Sequence, residues 1–170
     1  WLVGQTGDHR LSRIAGSLDP DDLAWIAGEL PEDVIHEVRQ SLGEIDRALL
    51  RQADTYPAQA VGRLMSVDVA AVRETQTIAD VLRDLQARSD LPDHLDRVFV
   101  VDGRNLLRGA VSLQALVLGK ADTQIAAIME SDPLAFRPTD AAAQAARAFE
   151  RYDLVSVPVV HDSGKLVGRL

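Results

Sequence analysis

Residues 63–85 read RLMSVDVAAVRETQTIADVLRDL, and residues 127–149 read AIMESDPLAFRPTDAAAQAARAF. The second stretch repeats the first at an offset of 64, without a gap. Met65 aligns with Met129, Asp68 with Asp132, Ala71 with Ala135, Arg73 with Arg137, Thr75 with Thr139, Arg83 with Arg147 and Leu85 with Phe149. A tandem repeat of this length marks two copies of one supersecondary unit packed together. Downstream the offset falls to 59, where Val100-Val101 aligns with Val159-Val160 and Gly109 with Gly168. The change places five extra residues in the first copy, in the polar loop before Val98.

Each copy reads as strand, helix, strand and strand. In the first, residues 67–72 form a short strand, and Thr77 caps a helix with Ile78, Val81, Leu82 and Leu85 on one face. Val98-Phe99-Val100-Val101 is β-branched and aromatic, as a buried strand requires. Asp102-Gly103-Arg104-Asn105 turns the chain into a return strand over 106–112, and Ser112 caps a helix over 113–118. The second copy gives a helix over 125–129, a strand at 134–136 and a helix over 141–152 capped by Asp140. A buried strand over 155–160, a turn at 162–165 and a return strand from residue 166 follow. The closing helix of this copy is missing, and the chain opens abruptly at Trp1-Leu2-Val3. Both ends read as those of a fragment of something longer.

In front of the repeats, to about residue 56, the pattern is helical throughout. Ser17-Leu18-Asp19-Pro20 is a helix start, with Leu23, Ile26, Ala27 and Leu30 at helical spacing. A second start at Leu30-Pro31-Glu32-Asp33 leads Val34, Ile35 and Val38. Gly43 separates a third helix, which Asp54-Thr55-Tyr56-Pro57 ends, because the residue before proline is pushed out of the helical region. Short helices at this spacing bury little alone and must stack on neighbours.

Composition narrows the function. At 170 residues, 46% hydrophobic and 26% charged, the chain has the balance of a globular protein. It has no cysteine, so disulfides, thiolate metal sites and cysteine nucleophiles are excluded. No apolar run approaches the ~20 residues that span a bilayer. The net charge of −8 is concentrated in residues 1–60, which hold eleven Asp and Glu against five Arg. Such a field repels phosphate backbones and attracts cations, which argues against nucleic acid as a partner. His9, His36, His94 and His161 show no metal-ligand spacing, and no phosphate-cradling glycine loop occurs. No group of side chains reads as a nucleophile site, and no enzyme is expected.

The hairpin signature, Val100-Val101-Asp102 with Leu107 and Gly109 and again Val159-Val160 with Leu166 and Gly168, resembles a cystathionine-β-synthase (CBS) domain pair. Tyr56-Pro57 followed by Gly62-Arg63-Leu64-Met65 joins that pair to an acidic helical segment bearing LDPDDLA and LPED. With Glu150-Arg151-Tyr152-Asp153-Leu154 and Pro158-Val159-Val160, the whole resembles the cytoplasmic region of MgtE-type magnesium transporters. The resemblance implies an α+β fold: an all-α helical superhelix fragment over 1–57, a first CBS repeat (βαββα) over 58–121 and a truncated second repeat over 122–170. It further implies a cytosolic Mg2+-sensing region on the cytoplasmic side of a cell membrane. The implied partners are Mg2+, a second copy through the CBS pair, and a transmembrane pore domain of the parent chain.

Mg2+ is held by one or two carboxylates and several waters, so a sensor needs only acids that face each other across a mobile interface. The ion bridges them and populates the compact, closed form by its differential affinity. By the resemblance, the metal residues are Asp21 and Asp22 on the helical segment and Asp153 on the second repeat. The family's second acid, one turn after Asp21, is Trp25 here, and acids expected on the CBS side are replaced by Ala141, Ala142 and Ala143. The plain alternatives are first-turn acids favoured by the helix dipole for Asp21 and Asp22, a helix-end carboxylate for Asp153 and an N-cap for Asp140. Two other functions stay open: an adenine-nucleotide-sensing CBS module of another protein, and a dimerisation scaffold. Against the nucleotide, Ala115 stands where a ribose-binding acid would follow Ser112, leaving Thr139 and Asp140 as weak candidates.

Overall fold

The structure is a computed structural model, and it describes residues 35–36, 53–89, 91–92 and 94–170. Ile35, His36, Ala53 and Asp54 are helical. The other helices expected before residue 53 lie outside the described residues.

The repeats build a mixed α+β body. The first contributes β1 (Ala71–Arg73), α1 (Ile78–Gln86), β2 (Arg97–Val101), β3 (Leu107–Ser112) and α2 (Leu113–Leu118). The second contributes β4 (Glu130–Ser131), α3 (Ala142–Tyr152), β5 (Pro158–Val160) and β6 (Leu166–Arg169). β1 runs parallel to β2, β2 antiparallel to β3, and β3 antiparallel to β4, in the order β1-β2-β3-β4. β5 and β6 form a separate antiparallel pair.

The two copies are related by a pseudo-two-fold, and the bridges obey it. Val72 pairs with Val100 in the first copy, and its counterpart Phe136 bridges Val159 in the second. The bridges Ala60–Ala141 and Thr77–Gln124 are mates under the offset of 64. Each copy's leading segment adds to the other copy's last strand: Glu130 and Ser131 pair with Ala110 and Gly109, while Ser66 pairs with Arg169. The crossing explains the repeated glycines and methionines. A Cβ on Gly109 would lie 2.6 Å from the Glu130 carbonyl oxygen and 3.1 Å from Met129 Sδ. A Cβ on Gly168 would lie 2.7 Å from the Ser66 carbonyl oxygen and 3.2 Å from Met65 Sδ. Only glycine admits a backbone so close.

The cores follow the same exchange. Ile78, Val81, Leu85, Val98, Val100, Val111 and Leu116 are buried around Ile125, which comes from the second copy's lead. Phe136, Ala145, Val157 and Val159 are buried around Val61 and Met65 from the first copy's lead. Phe99, Val101, Ala110 and Leu166 form a third cluster that includes both copies. Burying each large apolar side chain contributes about 1.5–3 kcal/mol, so the exchange of leads holds the copies together.

Four expectations are corrected in detail. The strand expected over 67–72 shrinks to Ala71–Arg73, because Ser66 is committed to Arg169 and the Asp68 N–H donates to Ser66 Oγ. The strand at 134–136 reduces to the single bridge at Phe136. The helix over 125–129 is a 3-10 turn at Ile125–Ala127, whose N–H groups at Ile125 and Ala126 donate across to Gln76 and Glu74. Asp140 is not the cap of α3: Ala141 occupies that position without a side-chain bond, and the Asp140 carboxylate accepts from the Arg137 N–H at 2.8 Å. Thr77 does cap α1, in a reciprocal box with Asp80, and Ser112 caps α2 by accepting from the Ala115 N–H.

Candidate functional site

Asp153 is the metal residue of the sequence reading that falls among the described residues; Asp21 and Asp22 lie outside them. It ends α3 with φ 50° and ψ 48°, in the left-handed region. A residue with a Cβ pays roughly 1–2 kcal/mol there, least for Asn and Asp. Its N–H donates to the Phe149 carbonyl, as does that of Leu154. These two backbone bonds close the helix end, and Asp153 itself is exposed. The helix-end reading of Asp153 is thus met, and it is compatible with ion contact.

The surroundings of Asp153 are set by Leu154. That side chain packs against the second repeat's core cluster, together with Phe149, Val167, Leu170 and Tyr56. Tyr56 belongs to the segment in front of the repeats. Its ring lies on Gly62, where a Cβ would be 2.5 Å from the ring's Cγ. Arg63 pairs with Asp54 at the end of the helical segment. The described end of that segment, residues 53–56, is therefore held against the core cluster on which Leu154 also packs. Two residues before Asp153, the Arg151 guanidinium sits 5.4 Å from the centre of the Tyr152 ring.

Among the described residues no group of three or more His, Asp or Glu side chains assembles into a metal cage. Of the nucleotide candidates, Asp140 is hydrogen-bonded within its own turn, and no hydrogen bond among the described residues engages Thr139. Ser112 Oγ is 3.1 Å from the Ala115 N–H it accepts, and the Asp140 carboxylate is held by Arg137. Thr139 is exposed. Of the histidines, His161 Nδ1 accepts from the Ser163 N–H at 3.2 Å within its turn, and His94 is exposed with φ 52°.

Two features escaped the sequence. Ser156, buried at 3% exposure, donates through its hydroxyl to the Asp96 carboxylate, whose other oxygen lies 2.9 Å from Arg97 Nε. The partners are 60 residues apart, and no local pattern announces them. The other is the seat of Tyr56 on Gly62, of which only the spacing was visible.

Among the described residues, Asp80 and Asp102 have shifted acidity, both for local reasons. Asp80 lies below the usual carboxylate range because the Thr77 hydroxyl, then the Thr77 N–H and Arg83, donate to it. Asp102 lies below it chiefly through the Leu106 N–H, followed by Arg104 N–H and Arg108. Both hold turns, and neither marks a reactive site.

The sequence pattern of the MgtE intracellular N domain matches residues 1–59, and that of the CBS domain matches residues 61–119 and 125–170. The chain belongs to the MgtE family. It is 32% identical to the magnesium transporter MgtE of Thermus thermophilus over 122 residues, which is 72% of this chain and 27% of that protein. It is 23% identical to the magnesium transporter MgtE of Bacillus subtilis over 167 residues, 98% of this chain and 37% of that protein. The crystal structure of the cytosolic domain of the Mg2+ channel MgtE in complex with ATP superposes with a TM-score of 0.82 at 30% identity, covering 95% of this chain and 66% of that one. The chain thus corresponds to the cytosolic domain of MgtE and spans between a quarter and two fifths of the transporters' length. Among the described residues no helix is long and apolar enough to cross a membrane.

Proposed function

We propose that this MgtE-type region is a Mg2+-responsive regulator of a magnesium transporter, acting through a second copy and a transmembrane pore domain of its parent chain. The working division is 1–57 for the helical segment, 58–121 and 122–170 for the two repeats. Asp21 and Asp22 on the helical segment and Asp153 on the second repeat are the proposed metal residues. The observation that carries the reading is the attachment of the acidic segment, by Tyr56, to the cluster that holds Leu154 beside Asp153. Acids brought near one another repel until a cation screens or bridges them. Mg2+ favours the compact, closed form only to the extent that it binds that form more tightly. No catalytic step is assigned.

A second reading has one observation in its favour: the similar cytosolic domain is a complex with ATP. Ala115 and the engaged Asp140 weigh against a ribose contact in this chain. Thermal melts at matched ionic strength separate the readings. A rise in Tm with millimolar Mg2+ and none with ATP or AMP is expected. A rise with nucleotide alone would replace the magnesium reading, and no response to either would leave a dimerisation scaffold.

A further inference from the structure

The pseudo-two-fold makes every contact in one copy's lead testable against the other's. Both leads are staked to the opposite repeat by the same backbone bonds. Val61 and Gly62 N–H donate to Asp140 and Pro138, and Ile125 and Ala126 N–H donate to Gln76 and Glu74. The side chains do not match. Gly62 is buried under the Tyr56 ring, whereas its counterpart Ala126 is exposed. The counterpart of Tyr56 itself is Lys120, also exposed. The second lead forms the same turn without an aromatic, so the repeat fold does not need one. The ring joins the end of the segment in front to Gly62 and the second repeat's core cluster.

Its position supports that reading. The Tyr56 N–H donates to the Ala53 carbonyl at 3.1 Å, tying it to the helical end. Pro57 holds Tyr56 out of the helical region. Arg63, next to Gly62, pairs with Asp54 just before Tyr56; their side chains are 16% and 31% exposed. Within ten residues the helical end is therefore held by a ring on a glycine, an ion pair and the backbone stakes into the second repeat.

We propose that Tyr56 on Gly62, reinforced by Arg63–Asp54, is a clamp that fixes how the acidic segment leaves the CBS pair. It sets the direction in which that segment meets the second repeat. Residues 57–60 are then not a free linker, and movement of the segment is not taken up there. The clamp rests on the proposed magnesium reading only for its purpose.

The chain has no cysteine, so single cysteines at His36→Cys and Gln144→Cys carry spin labels without background. The distance distribution between them, measured on the full chain without Mg2+, is the test. Tyr56→Ala and Gly62→Ala each broaden it about twofold, since local release frees the attached segment without unfolding the pair. Tyr56→Phe, which keeps the ring, and Lys120→Ala, at the mirrored position, leave it as in the parent. A separate Tm of the CBS pair identifies any variant that fails to fold. Unchanged widths in Tyr56→Ala and Gly62→Ala, or equal broadening in Tyr56→Phe or Lys120→Ala, overturn the clamp. Adding Mg2+ afterwards tests the other idea by itself: a parent that does not respond sinks the magnesium reading, while the metal-free widths still decide the clamp.

Discussion

Helices α1 and α3 are the same element in two copies, and they are loaded differently. α1 buries Ile78, Val81 and Leu85 and opens with a reciprocal cap between Thr77 and Asp80. α3 buries Ala145, opens at Ala141 without a side-chain cap and ends on a left-handed aspartate. The Ala142-Ala143 start of α3 replaces the Ile78-Ala79 start of α1. The first copy is thus built chiefly to pack. The second gives up side-chain volume and a cap, and ends its helix on the exposed, left-handed Asp153. One scaffold, duplicated, is packed heavily at the helix of one copy and lightly at that of the other.

The largest break in that comparison is a cavity. Ile78→Ala should cost about 2–5 kcal/mol, since Ile78 is 1% exposed in the first core. The corresponding change in α3 is already present as Ala142, so Ala145→Gly there should cost only about 1 kcal/mol, mostly through helix propensity. Denaturant midpoints at constant m-value measure both. A loss at Ala145→Gly as large as at Ile78→Ala would show that the second copy packs as heavily as the first.

The crossing is next. Gly109→Ala pushes a methyl against the Glu130 carbonyl and should cost about 1–3 kcal/mol. Gly168→Ala, its mate against Ser66, should cost a similar amount. Strong inequality between the two would mean that the leads do not cross symmetrically.

The caps give a smaller effect of opposite signs. Thr77→Ala should cost about 1 kcal/mol, and Ala141→Ser should return about 0.5–1 kcal/mol by supplying the cap that α3 lacks. Thermal unfolding of the two single variants reads both signs at once. A neutral Ala141→Ser would mean that Asp140 and Arg137 already satisfy that helix end.

The helix, strand and turn order of both repeats was legible because β2 is an unbroken buried apolar run from Val98 to Val101 and the turns carry Asp, Asn and Gly. The CBS pair followed from the same residues, and the family from the acidic segment in front of them, with LDPDDLA, LPED and the Tyr56-Pro57 junction. What could not be read was set by partners far along the chain. β1 is short because Ser66 answers to Arg169. Asp140 does not cap α3: the helix starts one residue later, after Ala141, and the Asp140 carboxylate accepts from the Arg137 N–H instead. Of the proposed site, Asp153 was legible as a helix-end acid, but not its left-handed backbone, nor that Tyr56 and Leu154 pack against the same core cluster. Asp21 and Asp22 rest on the sequence alone.

Among the described residues, acid pH should act through the first copy. Folding lowers the pKa of Asp80 and of Asp102 below the ordinary carboxylate range. The stability they contribute is therefore fully present above that range and is lost as pH falls through it. Between neutral pH and mild acidity Tm should stay level on their account and then drop in stronger acid. Asp102→Asn should lower Tm at neutral pH and flatten the acid drop, the smallest of these effects because both carboxylates are solvent-accessible. An acid drop that is unchanged in Asp102→Asn would place its cause elsewhere.

The central claim is that Mg2+ draws the acidic segment and the second repeat together through a few carboxylates. Small-angle scattering across a Mg2+ titration at constant ionic strength tests it most directly, on the parent chain and on Asp21→Asn combined with Asp153→Asn. The account predicts a falling radius of gyration in the parent and a flat one in the double variant. A double variant that compacts as the parent does, or a parent that does not compact at all, would contradict it.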